Sequence, residues 1–177
     1  MNSNKSSIYD HLKGIKALLF DMDGVFTDGT VMVMPGDELI RTMHTRDGSA
    51  LKRAVVQGFQ VGIISAGFSQ PSIDRFEKFG VHHIYMNARP KLPVYREILE
   101  KTGIKPQEVL YMGDDIADMQ CIHISGIGVC PANSCQDVLR IADYVTQHDG
   151  GNGAVREVIE MVLRAQGKWE LPELIDV

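Results

Sequence analysis

The stretch that decides the fold is KALLFDMDGVFTD, residues 16–28. It opens with a short apolar run, ending at Phe20, of the length expected for a buried β-strand. Two carboxylates, Asp21 and Asp23, follow the run directly, and Gly24 comes next. Like charges packed this closely repel each other strongly unless a cation lies between them. The pattern favours a cation-binding site at the end of a strand over the alternative of a helix cap with a chance surface charge.

Short apolar runs alternate with helical patterns along the whole chain. The runs that predict strands are Lys16–Phe20, Gln60–Ile64, His83–Tyr85, Val109–Met112 and Ile127–Val129, with a short edge strand at Tyr144-Val145. The segments that predict helices are Ser49–Gln57, Gln70–Phe79, Leu92–Lys101, Ile116–Ile122, Cys135–Ile141 and Ala154–Ala165. This alternation predicts right-handed crossovers, and hence an α/β fold with a doubly wound, mostly parallel sheet and helices on both faces.

One segment interrupts the alternation and predicts a β-hairpin. Residues 30–34 and 39–43 are both rich in β-forming residues, and Pro35-Gly36 lies between them. Proline fixes φ at the second position of a turn and glycine accepts a positive φ at the third, which suits a type II turn. Its outward residues, such as Val31 and Val33, are too apolar for a loop that faces only water.

Reactive side chains follow four of the predicted strands, and they are Asp21 with Asp23, Ser65, Lys91, and Asp114 with Asp115. Because ligands of open parallel sheets bind beyond the carboxyl ends of the strands, we expect these groups to gather at one edge. Oxygen ligands of this kind suit Mg²⁺. Taken singly, each residue has an ordinary alternative as a turn hydroxyl, a solvated lysine or a helix cap. Their joint placement favours a site.

Composition and charge exclude several classes of function. The chain has 177 residues and a net charge of -5, which argues against a nucleic-acid surface. It contains no apolar run near the roughly 20 residues that span a bilayer, so we expect no membrane partner. Residues 1–14 lack the apolar stretch of a signal peptide. The three cysteines form no CxxC pair, which favours idle thiols in a reducing cytoplasm.

Residues 21–28, DMDGVFTD, resemble the first motif of the haloacid dehalogenase superfamily of phosphatases. Ser65, Lys91 and GDDIAD at 113–118 follow in the order of its second, third and fourth motifs. Other stretches resemble the 3-deoxy-octulosonate 8-phosphate phosphatase subfamily and its relatives that act on nonulosonate 9-phosphates. These stretches are RDG at 46–48, ADYVT at 142–146, GGNGAVRE at 150–157 and AQGKW at 165–169. The resemblance covers about residues 16–169.

The resemblance implies Mg²⁺-dependent hydrolysis of a phosphate monoester through an aspartyl phosphate. Asp21 would attack phosphorus as the nucleophile. Asp23 would protonate the leaving oxygen and then deprotonate the water that releases phosphate. The Asp21 carboxylate, the backbone carbonyl of Asp23 and the Asp114 carboxylate would hold the Mg²⁺ ion.

The same resemblance assigns supporting roles around the phosphate. Ser65 and Lys91 would bind the phosphoryl oxygens that do not take part in bond breaking. Asp115 and Asp118 would orient the metal's water ligands or Lys91. The glycines at 150–153 suit either an anion-binding loop or a plain turn before the last helix.

The substrate implied by the resemblance is a phosphorylated 2-keto-3-deoxy sugar acid. The subfamily usually carries Thr-Gly and then a charged residue where this chain has Ser65-Ala66-Gly67. Serine keeps the hydroxyl, but the missing charge removes a substrate contact. Arg46, Arg156 and Lys168 are the candidates for binding the substrate carboxylate.

Motif spacing leaves no room for a separate cap domain. Asp21 and Ser65 are 44 residues apart, and Ser65 and Lys91 are 26 apart. Since domains rarely fall below about 50 residues, we expect a single domain over 1–177 with a hairpin at 30–43 and a tail at 168–177. An uncapped site needs further walls to discriminate between substrates, so we expect neighbouring subunits to supply them. The resemblance implies a homotetramer.

Three alternatives to this interpretation remain open. A receiver-type signalling domain is also acidic, doubly wound and phosphorylated on Asp. In that family the acidic pair precedes the phosphorylated Asp, whereas here Asp114-Asp115 follow Lys91. The fold could also serve as a catalytically degenerate assembly module, or the enzyme could act on another small phosphate monoester.

Overall fold

The computed structural model describes residues 3–36 and 39–169. Within them the strands are β1 (Ala17–Phe20), β2 (Met32–Val33), β3 (Leu39–Ile40), β4 (Gln60–Ile64), β5 (His83–Tyr85), β6 (Val109–Met112), β7 (Ile127–Cys130) and β8 (Tyr144–Val145). The helices are α1 (Ser3–Leu12), α2 (Thr45–Val56), α3 (Gln70–Lys78), α4 (Lys91–Thr102), α5 (Met119–Ile124), α6 (Gln136–Ile141) and α7 (Ala154–Ala165). Short 3₁₀ turns lie at Pro106–Glu108 and Ile116–Asp118.

Six strands form one parallel sheet in the order β5-β4-β1-β6-β7-β8. The first strand lies near the centre, with Leu19 paired to Gly62 on one side and to Tyr111 on the other. All four residues of β1 are fully buried, because helices cover both faces of the sheet. The doubly wound parallel sheet predicted from the sequence is confirmed, and it places the end of β1 in the middle of the carboxyl edge.

Two apolar cores lie on opposite faces of this sheet. Leu18 and Phe20 point into the core shared with α2 and α7, while Ala17 and Leu19 point into the one shared with α4 and α5. In the first core Phe26 contacts the rings of Phe20 and Phe76 edge-on, with ring centres 5.5 and 5.0 Å apart. This packing holds the loop after β1 against the sheet, so the segment that carries Asp21 and Asp23 is rigidly supported.

Helix α2 begins four residues earlier than the sequence pattern predicts. Gly48 weakens the helical pattern, yet the structure requires it, since a Cβ there would lie 2.6 Å from the ring of Phe79. His44 caps the helix through its side chain, which accepts a hydrogen bond from the N–H of Arg46. The segment predicted as one helix over 116–122 is instead a 3₁₀ turn followed by α5.

The N-terminal segment contains a helix that the sequence analysis leaves unassigned. Leu12, at the end of α1, is buried, and the side-chain amide of Gln166 donates to the carbonyls of Leu12 and Ile15. These contacts attach α1 to the end of α7. Among the described residues, none of the helices is long and apolar enough to cross a membrane.

The predicted hairpin is present, although its paired strands are short. Antiparallel pairing joins Met32 to Ile40 and Val33 to Leu39. Gly36 has φ of +84°, as the third position of a type II turn requires. The apolar side chains of the hairpin face outward, and Met32 and Val33 are 63% and 67% exposed.

Candidate active site

Asp21 is the first residue after β1 and lies at the centre of the carboxyl edge. Its N–H donates to the carbonyl of Met112, which ends the neighbouring strand, at 2.9 Å. The side chain is almost fully buried, and Lys91 Nζ lies 2.9 Å from its Oδ1. Lys91 begins α4 and is only 3% exposed. A carboxylate and an ammonium group are thus held together in a largely dry site.

Asp118 fixes the position of this lysine from the opposite side. Its Oδ1 accepts hydrogen bonds from Lys91 Nζ at 2.6 Å and from the Tyr111 hydroxyl at 2.7 Å. Its Oδ2 accepts from the N–H groups of Asp114 and Asp115 at 3.3 and 3.4 Å. A buried carboxylate with four donors is well satisfied, so Asp118 acts by holding other groups in place. The supporting role predicted for Asp118 stays a prediction.

The loop that carries Asp114 packs directly on the loop that carries Asp21. Gly24 has φ of +84°, and a Cβ there would lie 2.0 Å from Oδ2 of Asp114. Glycine is therefore required at this position both for its backbone conformation and for the close approach. One oxygen from each of Asp21, Asp114 and Asp118 lies within 4.8 Å of the other two.

Burial and mutual repulsion disfavour the charged forms of these carboxyls. Burial, reinforced by the Asp118 charge and opposed by Lys91, raises the pKa of Asp21 to about 8. Burial and the Asp118 charge raise the pKa of Asp114 to about 6. Burial lowers the pKa of Lys91, but the charges of Asp21 and Asp118 outweigh it and leave that pKa above its ordinary value. The site carries more negative than positive charge, which a bound cation would relieve.

The donor set fits a hard divalent cation such as Mg²⁺. Asp118 already accepts four hydrogen bonds, so Asp21 and Asp114 are the carboxylates with oxygens available to a metal ion. Mg²⁺ commonly uses one or two carboxylates and keeps several water molecules. Asp115 is exposed at the rim of the cavity, where it could contact such waters.

Ser65 follows β4 and completes this side of the site. It is 1% exposed, and its Oγ accepts a hydrogen bond from the N–H of Gly67 at 3.1 Å. The cavity has a volume of about 360 Å³, and the residues that line it are Asp21, Asp23, Gly29, Ser65, Ala66, Gly67, Arg89, Lys91, Asp114, Asp115, Ala117 and Asp118. The predicted hydroxyl, ammonium and carboxylates therefore meet in one space of the size of a small phosphorylated ligand.

Asp23 faces the same cavity and makes a contact that the sequence analysis missed. Arg41, just after β3, donates from Nε to Asp23 Oδ1 at 2.7 Å and from Nη2 to Oδ2 at 3.0 Å. The Arg41 side chain is only 5% exposed. Nothing in the local sequence points to this pair, because it depends on the path of the hairpin.

Three cations predicted to bind a substrate carboxylate lie elsewhere in this chain. Arg46 and Arg156 line a second cavity, of about 600 Å³, together with His148 and Glu160. Arg156 is paired with Glu160 at 3.0 Å. Lys168 Nζ lies 4.6 Å from the ring centre of Phe59. Among the residues that the structure describes, Arg89 is the arginine that lines the Asp21 cavity, and Arg41 contacts Asp23 from the neighbouring groove.

The glycine-rich loop at 150–153 supports the site from behind. A Cβ at Gly150 would lie 1.8 Å from the carbonyl oxygen of Gly24, and the N–H of Gly151 donates to Val25 at 2.9 Å. This packing favours a turn before α7 over an anion-binding loop for residues 150–153. The turn supports the segment after β1.

Comparison with known sequences identifies relatives of this chain among hydrolases and phosphatases. The profile of a haloacid dehalogenase-like hydrolase family matches residues 72–159. The 3-deoxy-D-manno-octulosonate 8-phosphate phosphatase KdsC of Escherichia coli (strain K12) is 35% identical over 158 residues, covering 89% of this chain and 84% of that protein.

Solved structures agree with these relatives. A haloacid dehalogenase superfamily (subfamily III A) hydrolase from Legionella pneumophila superposes with a TM-score of 0.91 at 33% identity, covering 94% of this chain and 91% of its own. The 3-deoxy-D-manno-octulosonate 8-phosphate phosphatase from Moraxella catarrhalis, in complex with magnesium, phosphate and KDO, gives 0.89 at 31% identity, with coverage of 93% and 94%.

Proposed function

The chain belongs to the haloacid dehalogenase-like hydrolases, among the 3-deoxy-D-manno-octulosonate 8-phosphate phosphatases, and from this premise we propose its substrate and mechanism. It is a phosphoric monoester hydrolase. Its substrate is a phosphorylated 2-keto-3-deoxy sugar acid of the octulosonate 8-phosphate or nonulosonate 9-phosphate type. The observation that carries the proposal is the buried Asp21 carboxylate, with Lys91 at 2.9 Å and Asp114 beside it in one cavity.

The reaction begins with attack of an Asp21 carboxylate oxygen on phosphorus. The bond between phosphorus and the leaving oxygen breaks, and the leaving oxygen takes a proton from Asp23. Asp23, now ionised, removes a proton from a water molecule that attacks the aspartyl phosphate. Inorganic phosphate leaves and Asp21 is restored. Asp23 suits this role because it lines the cavity two residues after the nucleophile.

Mg²⁺ completes the site. Asp21 and Asp114 would hold it through their carboxylates, with the backbone carbonyl of Asp23 as a further ligand. When bound, the ion neutralises charge on the carboxylates and on the phosphoryl group.

Lys91 and Ser65 bind the remaining phosphoryl oxygens. Lys91 Nζ already contacts Asp21, so a phosphoryl group bound to Asp21 would lie within reach of the ammonium group. Asp118 shares the ammonium group with Asp21 and keeps it in place. Preorganised donors of this kind stabilise the charge that develops on phosphoryl oxygens.

The active molecule is a homo-oligomer, and we propose that it is a homotetramer. The exposed apolar residues of the hairpin, at Val31 to Met34 and at Leu39-Ile40, form the surface that a second copy would cover. Arg46 and Arg156 line a separate cavity of their own chain, and we propose that they contact the substrate of a neighbouring copy. The tail at 168–177 is a further candidate to close over this site or an adjacent one, and after Trp169 it lies outside the described residues.

The reaction takes place in the cytoplasm. Cys121 and Cys130 are buried free thiols, and Cys135 is a half-buried one. Free thiols in these positions are compatible with a reducing compartment.

A substrate panel tests this function. We expect phosphate release with Mg²⁺ to be fastest, in kcat/KM, for octulosonate 8-phosphate or a nonulosonate 9-phosphate. Glucose 6-phosphate and p-nitrophenyl phosphate serve as comparison substrates without the carboxylate. Equal kcat/KM for the sugar acid phosphates and glucose 6-phosphate would remove the proposed substrate class, while leaving the phosphatase chemistry intact.

A further inference from the structure

The ion pair between Arg41 and Asp23 places a cation against a residue that lines the catalytic cavity. Arg41 contacts both carboxylate oxygens of Asp23, with Nε to Oδ1 at 2.7 Å and Nη2 to Oδ2 at 3.0 Å. Its remaining nitrogen, Nη1, donates to the carbonyl of Leu39 at 3.3 Å. Two parallel N–H donors on one carboxylate form the geometry in which guanidinium groups bind carboxylates most strongly.

The space that Arg41 occupies exists because residue 67 is a glycine. A Cβ at Gly67 would lie 3.2 Å from Arg41 Nη2 and 3.2 Å from Asp23 Oδ2. A larger side chain would displace the guanidinium from this position. Arg41 Nη2, Asp23 Oδ2 and Gly67 therefore lie together at the edge of the cavity that also contains Ser65 and Lys91.

This contact conflicts with the proposed role of Asp23. A general acid must present an oxygen to the leaving group, yet each oxygen of Asp23 already accepts an N–H from Arg41. The Asp23 side chain is 33% exposed and the Arg41 side chain 5%, so exchange requires Asp23 to turn away and open the guanidinium to the cavity. An incoming carboxylate could take the place of Asp23 on the guanidinium.

We propose that Arg41 is a specificity residue that exchanges the Asp23 carboxylate for the carboxylate of the substrate. The inference rests on the proposed function, because the substrate must carry a carboxylate as well as a phosphate. When a sugar acid phosphate binds, its carboxylate takes the guanidinium and Asp23 becomes available to the leaving oxygen. A neutral sugar phosphate leaves the Asp23 carboxylate paired with Arg41. Discrimination therefore arises in kcat as well as in KM.

The test compares Arg41→Met with the wild type on two substrates, octulosonate 8-phosphate and glucose 6-phosphate. Methionine keeps much of the apolar stem and removes the charge. We expect the ratio of kcat/KM for the acid over the neutral substrate to fall roughly 10- to 100-fold, as for loss of a charged hydrogen-bonded contact. KM for octulosonate 8-phosphate should rise, whereas kcat for glucose 6-phosphate should rise because Asp23 is uncovered. Arg41→Lys should restore part of the preference.

Two matched variants separate this effect from others. Arg140→Met makes the same change on an exposed residue outside the cavity and should leave both substrates unaffected. Arg89→Met tests the arginine that lines the cavity itself. A loss of preference in Arg89→Met with full preference kept in Arg41→Met would overturn the assignment.

The outcomes also distinguish failure of this inference from failure of the proposed function. A wild type that shows no preference for the acid contradicts the proposed substrate. A wild type that prefers the acid, with Arg41→Met keeping that preference, overturns only the role of Arg41. A fall in kcat for both substrates to the same extent would show that Arg41 merely positions Asp23. If Arg41→Met does not fold, by circular dichroism, Arg41→Gln, which also removes the charge, replaces it in the same comparison.

Discussion

At the scale of single residues, the site is built from carboxylates that are costly to ionise together. Asp21 and Asp114 are drawn into a buried cavity by the ends of β1 and β6, and within residues 3–36 and 39–169 Lys91 is the cation paired with Asp21 and Asp118. Such groups can be kept only where a ligand of opposite charge compensates them. Asp21 and Asp114, the carboxylates that are costly to ionise in the metal-free site, are the residues expected to bind the metal ion.

This cost should be measurable in the metal-free protein as a dependence of stability on pH. The folded-state pKa of Asp21 is about 8 and that of Asp114 about 6, both above the ordinary value of 3.8. A raised carboxyl pKa gives stability that is full below the unfolded pKa and is lost as pH rises through the folded one. We expect the Tm of the EDTA-treated protein to fall between pH 5 and pH 8, by differential scanning calorimetry.

Magnesium should reverse this loss. The ion binds ionised carboxylates, so it should raise Tm more at pH 8 than at pH 5. Asp114→Asn, which removes one carboxylate, serves as the control and should weaken the effect of Mg²⁺. An equal Tm increase at both pH values would contradict the assignment of these carboxylates as ligands.

At the scale of elements, the strands were predictable and the contacts between loops were not. The strands β1, β6 and β7 are buried on both faces, so each appears in the sequence as a continuous apolar run. The start of α2 was missed because Gly48 resembles a helix breaker until the ring of Phe79 is seen against it. Arg41 was missed because its contact with Asp23 joins residues 18 positions apart through an irregular path.

The residues of the candidate site likewise divide into those that the sequence pattern could place and those that it could not. Asp21, Ser65, Lys91 and Asp114 could be placed together because parallel strands end at one edge. Arg46 and Arg156 could not be placed by that rule, since neither directly follows a strand of the parallel sheet. The structure brings them to a second cavity of the same chain.

The glycine loop before α7 gives a prediction at this scale. Gly150→Ala would place its Cβ against the backbone carbonyl of Gly24, which cannot move without shifting the loop after β1. We expect a loss of about 1–3 kcal/mol in the free energy of unfolding together with a reduced kcat. Urea denaturation and phosphate release measure the two effects.

Gly14→Ala is the matched control for this substitution. A Cβ at Gly14 would meet only the carbonyl oxygen of His11, at 3.5 Å, which is ordinary contact. A Gly150→Ala protein with the stability and kcat of the wild type would show that the loop does not brace the site.

At the scale of the whole molecule, the hairpin makes the chain suited to assembly. It projects from the sheet and exposes Val33 and Met32 to solvent by more than 60%. Val33→Lys should weaken association between subunits, because the lysine charge would be buried when they associate. We expect light scattering to show smaller particles and KM for the sugar acid phosphate to rise.

Val56→Lys provides the matched control. Val56, at the end of α2, is 61% exposed but lies outside the hairpin, so this variant should keep the wild-type mass. A wild-type protein that is monomeric at micromolar concentration and fully active would contradict the proposed assembly.

The most direct measurement of the central claim is to find the phosphoryl group on Asp21. In Asp23→Asn the group that activates water is lost, so the aspartyl phosphate should persist long enough to trap. With Mg²⁺ and excess octulosonate 8-phosphate, followed by acid quench and mass spectrometry, we expect one phosphoryl group on the peptide that contains Asp21. Asp21→Asn should carry none and should not turn over. A phosphoryl group on another residue, or turnover by Asp21→Asn at the wild-type rate, would contradict the account.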